Sequence, residues 1–324
     1  MRATTAPASR ADQVVEVNDR GARVSRRAIG VGEGVHVVAR GRLVHIGEIV
    51  DEFWQPSTIM PPHEEILTLL RASPWCPDVF TFAERLPQPQ RRYEYPVEWE
   101  SLAVAEFDTY HAWLEGVNRS VRKHIRRAER EGVIVRETPF SETVVAGIHA
   151  VYNEVPVRQG RPFWHYGKDL ATVRADNATY QERSTFLSAM VGDEFVGFIK
   201  MVDIEPGVCA LMQILSRVSH QDMRPTNALL AKAVEVSVDR GVRQLVYGHY
   251  AYGSKQESTL ADFKENNGFK RVAVPRYYVP LTMRGTIGLR LGLHKPVVDR
   301  LPSGLRSSLS AIRSRWHASR QGSY

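Results

Sequence analysis

Cysteine is scarce in this chain: among 324 residues only Cys76 and Cys209 occur, with no C-x-x-C and no Cys/His ligand spacing. Neither a disulfide framework nor a zinc site is indicated, and no metal is expected. A reducing, cytoplasmic setting is the default expectation. Cys209 lies in the apolar run VCALMQIL and reads as a core residue rather than a nucleophile. No apolar run approaches the ~20 residues of a membrane-spanning helix. The opening MRATTAPASRADQ has no apolar segment of the secretory kind, and residues 1–13 read as a disordered leader. No repeat of solenoid period is visible.

The composition is otherwise that of a globular protein. Hydrophobic residues make up 43% and charged residues 24%, enough for one large or two modest domains with real cores. The formal net charge is +7 and the sequence pI near 9.5, which favours anionic partners such as phosphates, nucleic acid or acidic lipid without choosing among them.

Along the chain, residues 14–50 read as short strands, with a hairpin turn at Gly41 in VHVVARGRLVHIGEIV. PPHEEILTLLRA reads as a helix with proline at its start and acids in its first turn. A proline-rich connection follows, with a strand at VFTFAE. Over 107–132, Phe107, His111, Leu114, Val117, Val121, Ile125 and Ala128 recur at helical spacing and predict one long helix ended by Gly132. Its second half carries Arg119, Arg122, Lys123, Arg126, Arg127 and Arg130. Thereafter the order is strand, helix, loop, helix, three strands, helix (opened by Pro225, stopped by Gly241), strand, helix, strand. That order implies an α/β protein with a mixed sheet flanked by helices.

The densest chemistry lies between Tyr247 and Thr282. Tyr247, His249, Tyr250 and Tyr252 crowd one strand end around Gly248 and Gly253, followed by a short helix with Phe263 and Lys264 and the turn Asn267-Gly268-Phe269. In a regular strand Tyr247 and His249 share one face and Tyr250 the other. A strand–helix–strand unit needs no such cluster for packing, whereas a site that moves protons and orients a polar ligand does. For any single one of these side chains, sheet packing with a satisfied polar tip is the plainer explanation.

Three segments resemble the GNAT superfamily of N-acyltransferases and, within it, the FemAB-like branch with tandem GNAT-like lobes. They are the basic helix SVRKHIRRAEREGVIV ahead of a strand, the three strands, helix and strand between Thr185 and Tyr247, and LADFKENNGF, similar to the branch's Phe-Lys pair and Gly-Phe turn. The resemblance covers roughly 118–282 and implies two lobes, 14–117 and a catalytic 118–284, followed by a tail at 285–324. It implies transfer of an acyl or aminoacyl group from acyl-CoA or aminoacyl-tRNA to an amine of a cell-envelope or polysaccharide precursor. Lys264 is then the candidate for oxyanion or phosphate stabilisation, Phe263 shapes the acyl pocket, and His249, Tyr247 and Tyr252 serve as proton relay. A solvated helix lysine is the competing reading of Lys264. The chain departs from the superfamily where a glycine-rich turn holds the CoA pyrophosphate. HQDMRPTNALL keeps Arg224 and a helix start but has Pro225, Thr226 and Asn227 instead of glycines.

The loop RQGRPFWHYGK offers Arg158, Arg161, Trp164, His165 and Tyr166 for acceptor binding. An ordered loop anchored by its own aromatics is the alternative. Arg224, Asn227 and Tyr277 complete the substrate-binding candidates. The basic helix could meet tRNA or CoA phosphates, or be a solvated face. In the tail, Leu305, Leu309, Ile312 and Trp316 form one helical stripe among arginines, the pattern of a helix lying on an anionic membrane or docked on the first lobe. Two non-catalytic readings stand beside the enzyme: a nucleic-acid-binding protein on the same fold, and a membrane-surface scaffold held by the tail.

Overall fold

The computed structural model describes residues 13–19, 22–250 and 259–295. Most of the leader, Tyr252 and the stripe from Leu305 to Trp316 lie outside the described residues. The first part of the chain forms β1 (Gln13–Asp19), β2 (Ala22–Gly32), β3 (Val35–Arg40), β4 (Ile46–Ile49), α1 (His63–Ala72), β5 (Val79–Ala83) and β6 (Val97–Glu106). There follow α2 (Tyr110–Gly116), α3 (Arg119–Arg130), β7 (Val133–Thr138), α4 (Glu142–Tyr152), the small hairpin β8 (Val157–Arg158) and β9 (Arg161–Pro162), and α5 (Leu170–Asn177). The remainder is β10 (Ser184–Val191), β11 (Glu194–Glu205), β12 (Val208–Ser216), α6 (Pro225–Asp239), β13 (Gln244–His249), α7 (Thr259–Asn266), β14 (Lys270–Pro280) and α8 (Met283–Arg290).

Twelve strands make one sheet in the order β1-β2-β3-β4-β5-β14-β6-β13-β12-β11-β10-β7. Two of its pairs are parallel, β4 with β5 and β12 with β13, and each is joined by the crossover helix that parallel pairing requires, α1 or α6. Each half of the chain therefore contains the same unit, an antiparallel meander, a helix and a parallel strand. The fold is α/β, with two lobes of this kind in one mixed sheet flanked by helices. The lobes are joined by exchange: β14, from the end of the chain, pairs with β5, while β6 pairs with β13. β14 and β6 then pair with each other along Lys270–Tyr277.

Helices α2, α3 and α6 cover one face of the second lobe, where Trp113, Val121, Ile125, Ala128, Leu230 and Val234 pack on Leu187, Ile199 and Leu245. Helix α4 covers part of the other face with Ile148, Val151 and Tyr152 against Phe186 and Phe198. The first lobe has its own core, Ile29, Val37, Ile66, Leu70, Phe80, Phe82 and Tyr277.

The helix expected over 107–132 is two helices, and the interruption is built by side chains. Asn118 caps α3 by accepting from Ser120 N at 2.9 Å, and its own N–H donates to Asn266 O at 3.0 Å. Arg122 donates to the carbonyls of Glu115 and Val117, both at 2.8 Å, which end α2. Phe107 lies just past β6 and His111 is exposed, so the periodicity ran on through a break that hydrogen bonding decides.

Lys200, in the middle of β11, is fully buried, and its ammonium donates to Asn177 O at 2.9 Å and to Thr179 O at 2.5 Å and Oγ1 at 2.9 Å. Burial lowers its pKa to about 8. It ties the end of α5 to the sheet. Lys200→Met is expected to fold but to lose about 2 kcal/mol, because the carbonyls it serves are left without a donor. Urea unfolding of the two proteins measures this.

Candidate active site

β12 and β13 run side by side only over Val208↔Gln244, Cys209↔Leu245 and Ala210↔Val246. Beyond Ala210 they part. β13 turns toward β6 through a register shift between Val246 and His249, where Gly248 takes φ 59°, a left-handed conformation that favours glycine. The same shift breaks the expected alternation: Tyr250 packs with Tyr247 against the core under α2 and α6 instead of pointing to the opposite face. A crevice at the carboxyl ends of diverging parallel strands is where open α/β sheets bind ligands.

A cavity of about 420 Å³ occupies this place. The second lobe lines it with Leu211, Met212, Tyr247, Gly248 and His249, and the first with Trp54, Arg85, Glu84 and Glu100. The exchanged β14 adds Arg276. The guanidinium of Arg276 lies 2.9 Å from Glu52 and 2.5 Å from Glu100. Burial opposes its charge, but the two carboxylates outweigh burial and raise its pKa. Arg85 pairs with Glu205 at 2.9 Å, and Glu205 also accepts from Ser57 N at 2.9 Å and Ser57 Oγ at 2.5 Å. Burial raises the pKa of the Glu84 carboxyl, with Arg92 at 3.5 Å opposing the rise. The cavity thus has an apolar wall and a charged wall whose carboxylates are already oriented.

Lys264 is fully buried on α7, and its Nζ donates to the carbonyl of His249 at 2.5 Å. The ammonium stands 4.8 Å from the centre of the Tyr247 ring, and burial lowers its pKa to about 8. Phe263 meets Tyr247 edge-on at 6.3 Å. The Asn267-Gly268-Phe269 turn anchors this group: Trp113 Nε1 donates to Asn267 O at 3.2 Å, Asn267 Nδ2 to Phe263 O at 2.7 Å, and Phe269 is buried. The fold therefore brings Lys264, Phe263, Tyr247 and His249 together. Tyr247 and His249 reach the cavity wall, and Lys264 stands one carbonyl behind it.

Among the described residues, the other sequence candidates stand apart from this cavity's lining. Tyr277 alternates with Arg276 on β14 and so faces the first-lobe core, its hydroxyl accepting from Arg92 N at 2.7 Å. Arg158 donates to Ser216 O at 2.8 Å and Val151 O at 2.9 Å and stacks on Phe163, which locks the loop onto β12. His165 is buried against Tyr152 and Trp164, and burial, then Lys168 and Arg158, lower its pKa to about 3. Trp164 and Tyr166 are exposed at the loop tip, as is Arg161.

At the start of α6, Arg224 takes φ 60° and precedes Pro225. The N–H groups of Asn227 and Ala228 both turn back on Arg224 O, at 3.1 and 3.3 Å. Within the described first turn this leaves Thr226 as the position whose N–H is neither absent nor directed at Arg224. The backbone cradle that holds a pyrophosphate at a helix start is therefore reduced. The side chain of Asn227 is buried.

Sequence reading missed Glu52, Arg85, Glu100 and Glu205. Their signal is faint: Glu100 precedes the apolar run LAVA, and Arg276 sits between Pro275 and two tyrosines. Their convergence depends on the Val274↔Glu100 register, which no local pattern encodes.

Two consequences can be measured. Arg276→Met leaves Glu52 and Glu100 without their shared cation and should cost about 3 kcal/mol in denaturant unfolding. For His165, the folded state binds fewer protons than the unfolded between about pH 3 and 6.5. Stability therefore falls as pH drops through that window. His165→Phe should show a shallower decline of its unfolding midpoint over the same range than the parent chain.

No protein-family model matches the sequence, and no curated protein matches it at a significant level. Solved structures do match. One is the crystal structure of FemX, with a TM-score of 0.55, 8% identity, and coverage of 87% of this chain and 90% of that one. Another is a C-terminal domain assigned to lysylphosphatidylglycerol synthetase, from Agrobacterium fabrum, with a TM-score of 0.51, 10% identity, and coverage of 82% and 87%. At such identities the likeness is one of fold. This chain is built on the GNAT-like fold of the FemAB type.

Proposed function

We propose that this chain is an N-acyltransferase that moves an acyl or aminoacyl group to the amine of a cell-envelope or polysaccharide precursor. The observation that carries this reading is the cavity at the divergence of β12 and β13, with Tyr247 and His249 on its wall and Lys264 directly behind. The FemAB-type fold supports it. The acceptor amine attacks the donor carbonyl carbon. The C–S bond of a thioester, or the C–O bond of a ribose ester, breaks as the amide forms. The amine proton passes to His249 or the cavity carboxylate Glu84, directly or through the Tyr247 hydroxyl, and that group then protonates the departing thiolate or ribose oxygen. Lys264, suggested by resemblance as the oxyanion donor, enters as a positioning residue. It fixes the His249 end of β13 and sets a positive charge behind the cavity wall.

The donor is acyl-CoA or aminoacyl-tRNA. The proline and inward-turned N–H groups at the start of α6 favour a donor that does not rely on a backbone pyrophosphate cradle. In this reading Arg224 and Asn227 shape the donor's entry, and the loop with Arg158, Arg161, Trp164, His165 and Tyr166 borders the acceptor's approach. Among the described residues no group of three or more His, Cys, Asp or Glu side chains is placed to hold a metal ion. No helix of the described residues is long and apolar enough to cross a membrane. The setting we propose is the cytoplasm, with substrates presented at its membrane face.

Calorimetry with acetyl-CoA, longer acyl-CoAs and a charged tRNA mixture should show saturable binding of one donor class, followed by transfer to an amine. Binding of neither would move the chain to a non-catalytic role in nucleic-acid or membrane-surface binding. Lys264→Met is expected to stay folded and to lose transfer by roughly a hundredfold, in the range seen when an electrostatic group is removed from a site. The Lys264 cation is present below about pH 8. Transfer by the parent chain should therefore decline as pH rises through 8, and the variant should lack that limb. Full activity in folded Lys264→Met would overturn the role.

A further inference from the structure

Helix α8 presents itself in an unusual orientation. A surface helix ordinarily turns its large apolar residues inward. Here the inward positions are Gly285 and Gly288, both buried, and the outward ones are Met283, Ile287 and Leu291 at 77%, 53% and 65% exposure. The glycines are required by contact distance. A Cβ on Gly285 would lie 1.9 Å from the carbonyl oxygen of Asp78, and one on Gly288 would lie 2.5 Å from Val44 Cγ2.

The helix is also pinned at its start. Thr282 Oγ1 accepts from Gly285 N at 3.0 Å and donates to Asp78 Oδ1 at 2.9 Å. Arg284 Nε donates to Leu43 O at 2.8 Å, which sets the loop between β3 and β4 beside the helix. Leu43 on that loop is itself 66% exposed. The outward apolar stripe therefore follows from how the helix is docked.

The surroundings say what would cover it. Arg42 and Arg290 are exposed around the stripe, Arg284 lies beside it 3.7 Å from Asp78, and Lys295, which follows it, pairs with Glu98 at 2.9 Å; α8 itself contains no acidic residue. An apolar strip with a basic rim matches an anionic lipid surface, where acyl chains take the strip and headgroups the cations. It does not match a second copy of the chain. Four apolar side chains fall far short of the roughly 20–30 residues a side of a stable protein interface, and two basic rims would repel. In sequence, the stretch just beyond α8 repeats the pattern, with Leu305, Leu309, Ile312 and Trp316 among arginines.

We propose that the outer face of α8, with Leu43, is the surface by which this chain rests on an anionic membrane. This inference stands independently of the acyl-transfer reading. The test is flotation of the full chain with vesicles of phosphatidylcholine alone and of phosphatidylcholine with phosphatidylglycerol. The parent chain should float with the anionic vesicles and less with added salt. Combined Met283→Gln, Ile287→Gln and Leu291→Gln, all at exposed positions, should keep the parent's circular dichroism and lose binding by roughly tenfold or more. Arg42→Glu with Arg290→Glu should abolish the preference for anionic over neutral vesicles.

Binding of the triple variant equal to the parent would overturn the proposal, because the membrane contact would then belong to another part of the chain. Absence of parent binding to anionic vesicles would overturn it as well. So would sedimentation showing a parent dimer that the triple variant converts to monomer, since the occupant would then be a second copy.

Discussion

The exchange of β6 and β14 between lobes is the constraint on which the rest depends. A sheet edge leaves a row of N–H and C=O groups without partners, and β5 and β13 would each end their lobe with such an edge. Pairing β5 with β14 and β13 with β6, and then β14 with β6, closes both edges inside one twelve-stranded sheet. The exchange also places Arg276, from the last strand, beside Glu52 and Glu100 of the first lobe. The cavity wall thus draws on both ends of the chain, and neither lobe alone would complete it.

The second determinant is the parting of β12 from β13. Three paired residues hold them together, and the bulge at Gly248 carries β13 toward β6. Divergence opens a space that side chains must line, and the residues available there are Tyr247, His249 and Met212 rather than small core residues. Lys264 then stabilises the strand end by hydrogen bonding to the His249 carbonyl and lying against the Tyr247 ring. A buried ammonium is costly without such partners. Its placement ties the integrity of the core under α7 to the geometry of the cavity.

Much of the fold was legible locally. The three-strand meander, the proline-opened helix and the Asn-Gly turn follow from alternation, capping and turn chemistry, and these act over a few residues. The long helix over 107–132 was read as continuous because its apolar spacing continues across Asn118, while the break is made by Arg122 reaching back from the next turn and by Asn266, which is remote in sequence. The cluster at Tyr247 and Lys264 was visible because its members are neighbours in sequence. The charged wall was not, because Glu52, Arg85, Glu100, Glu205 and Arg276 are far apart and meet only through sheet register.

By itself the sequence determined an α/β chain of alternating strands and helices, a core cysteine at 209, and a concentration of proton-bearing side chains at one strand end. These are consequences of period, composition and local backbone preference. The tertiary structure decided that β14 lies between β5 and β6, that Tyr277 is core while Arg276 faces the cavity, and that α8 turns its glycines inward. Each depends on long-range pairing or on a contact distance with a residue remote in sequence, and neither quantity is carried by any short stretch of the chain.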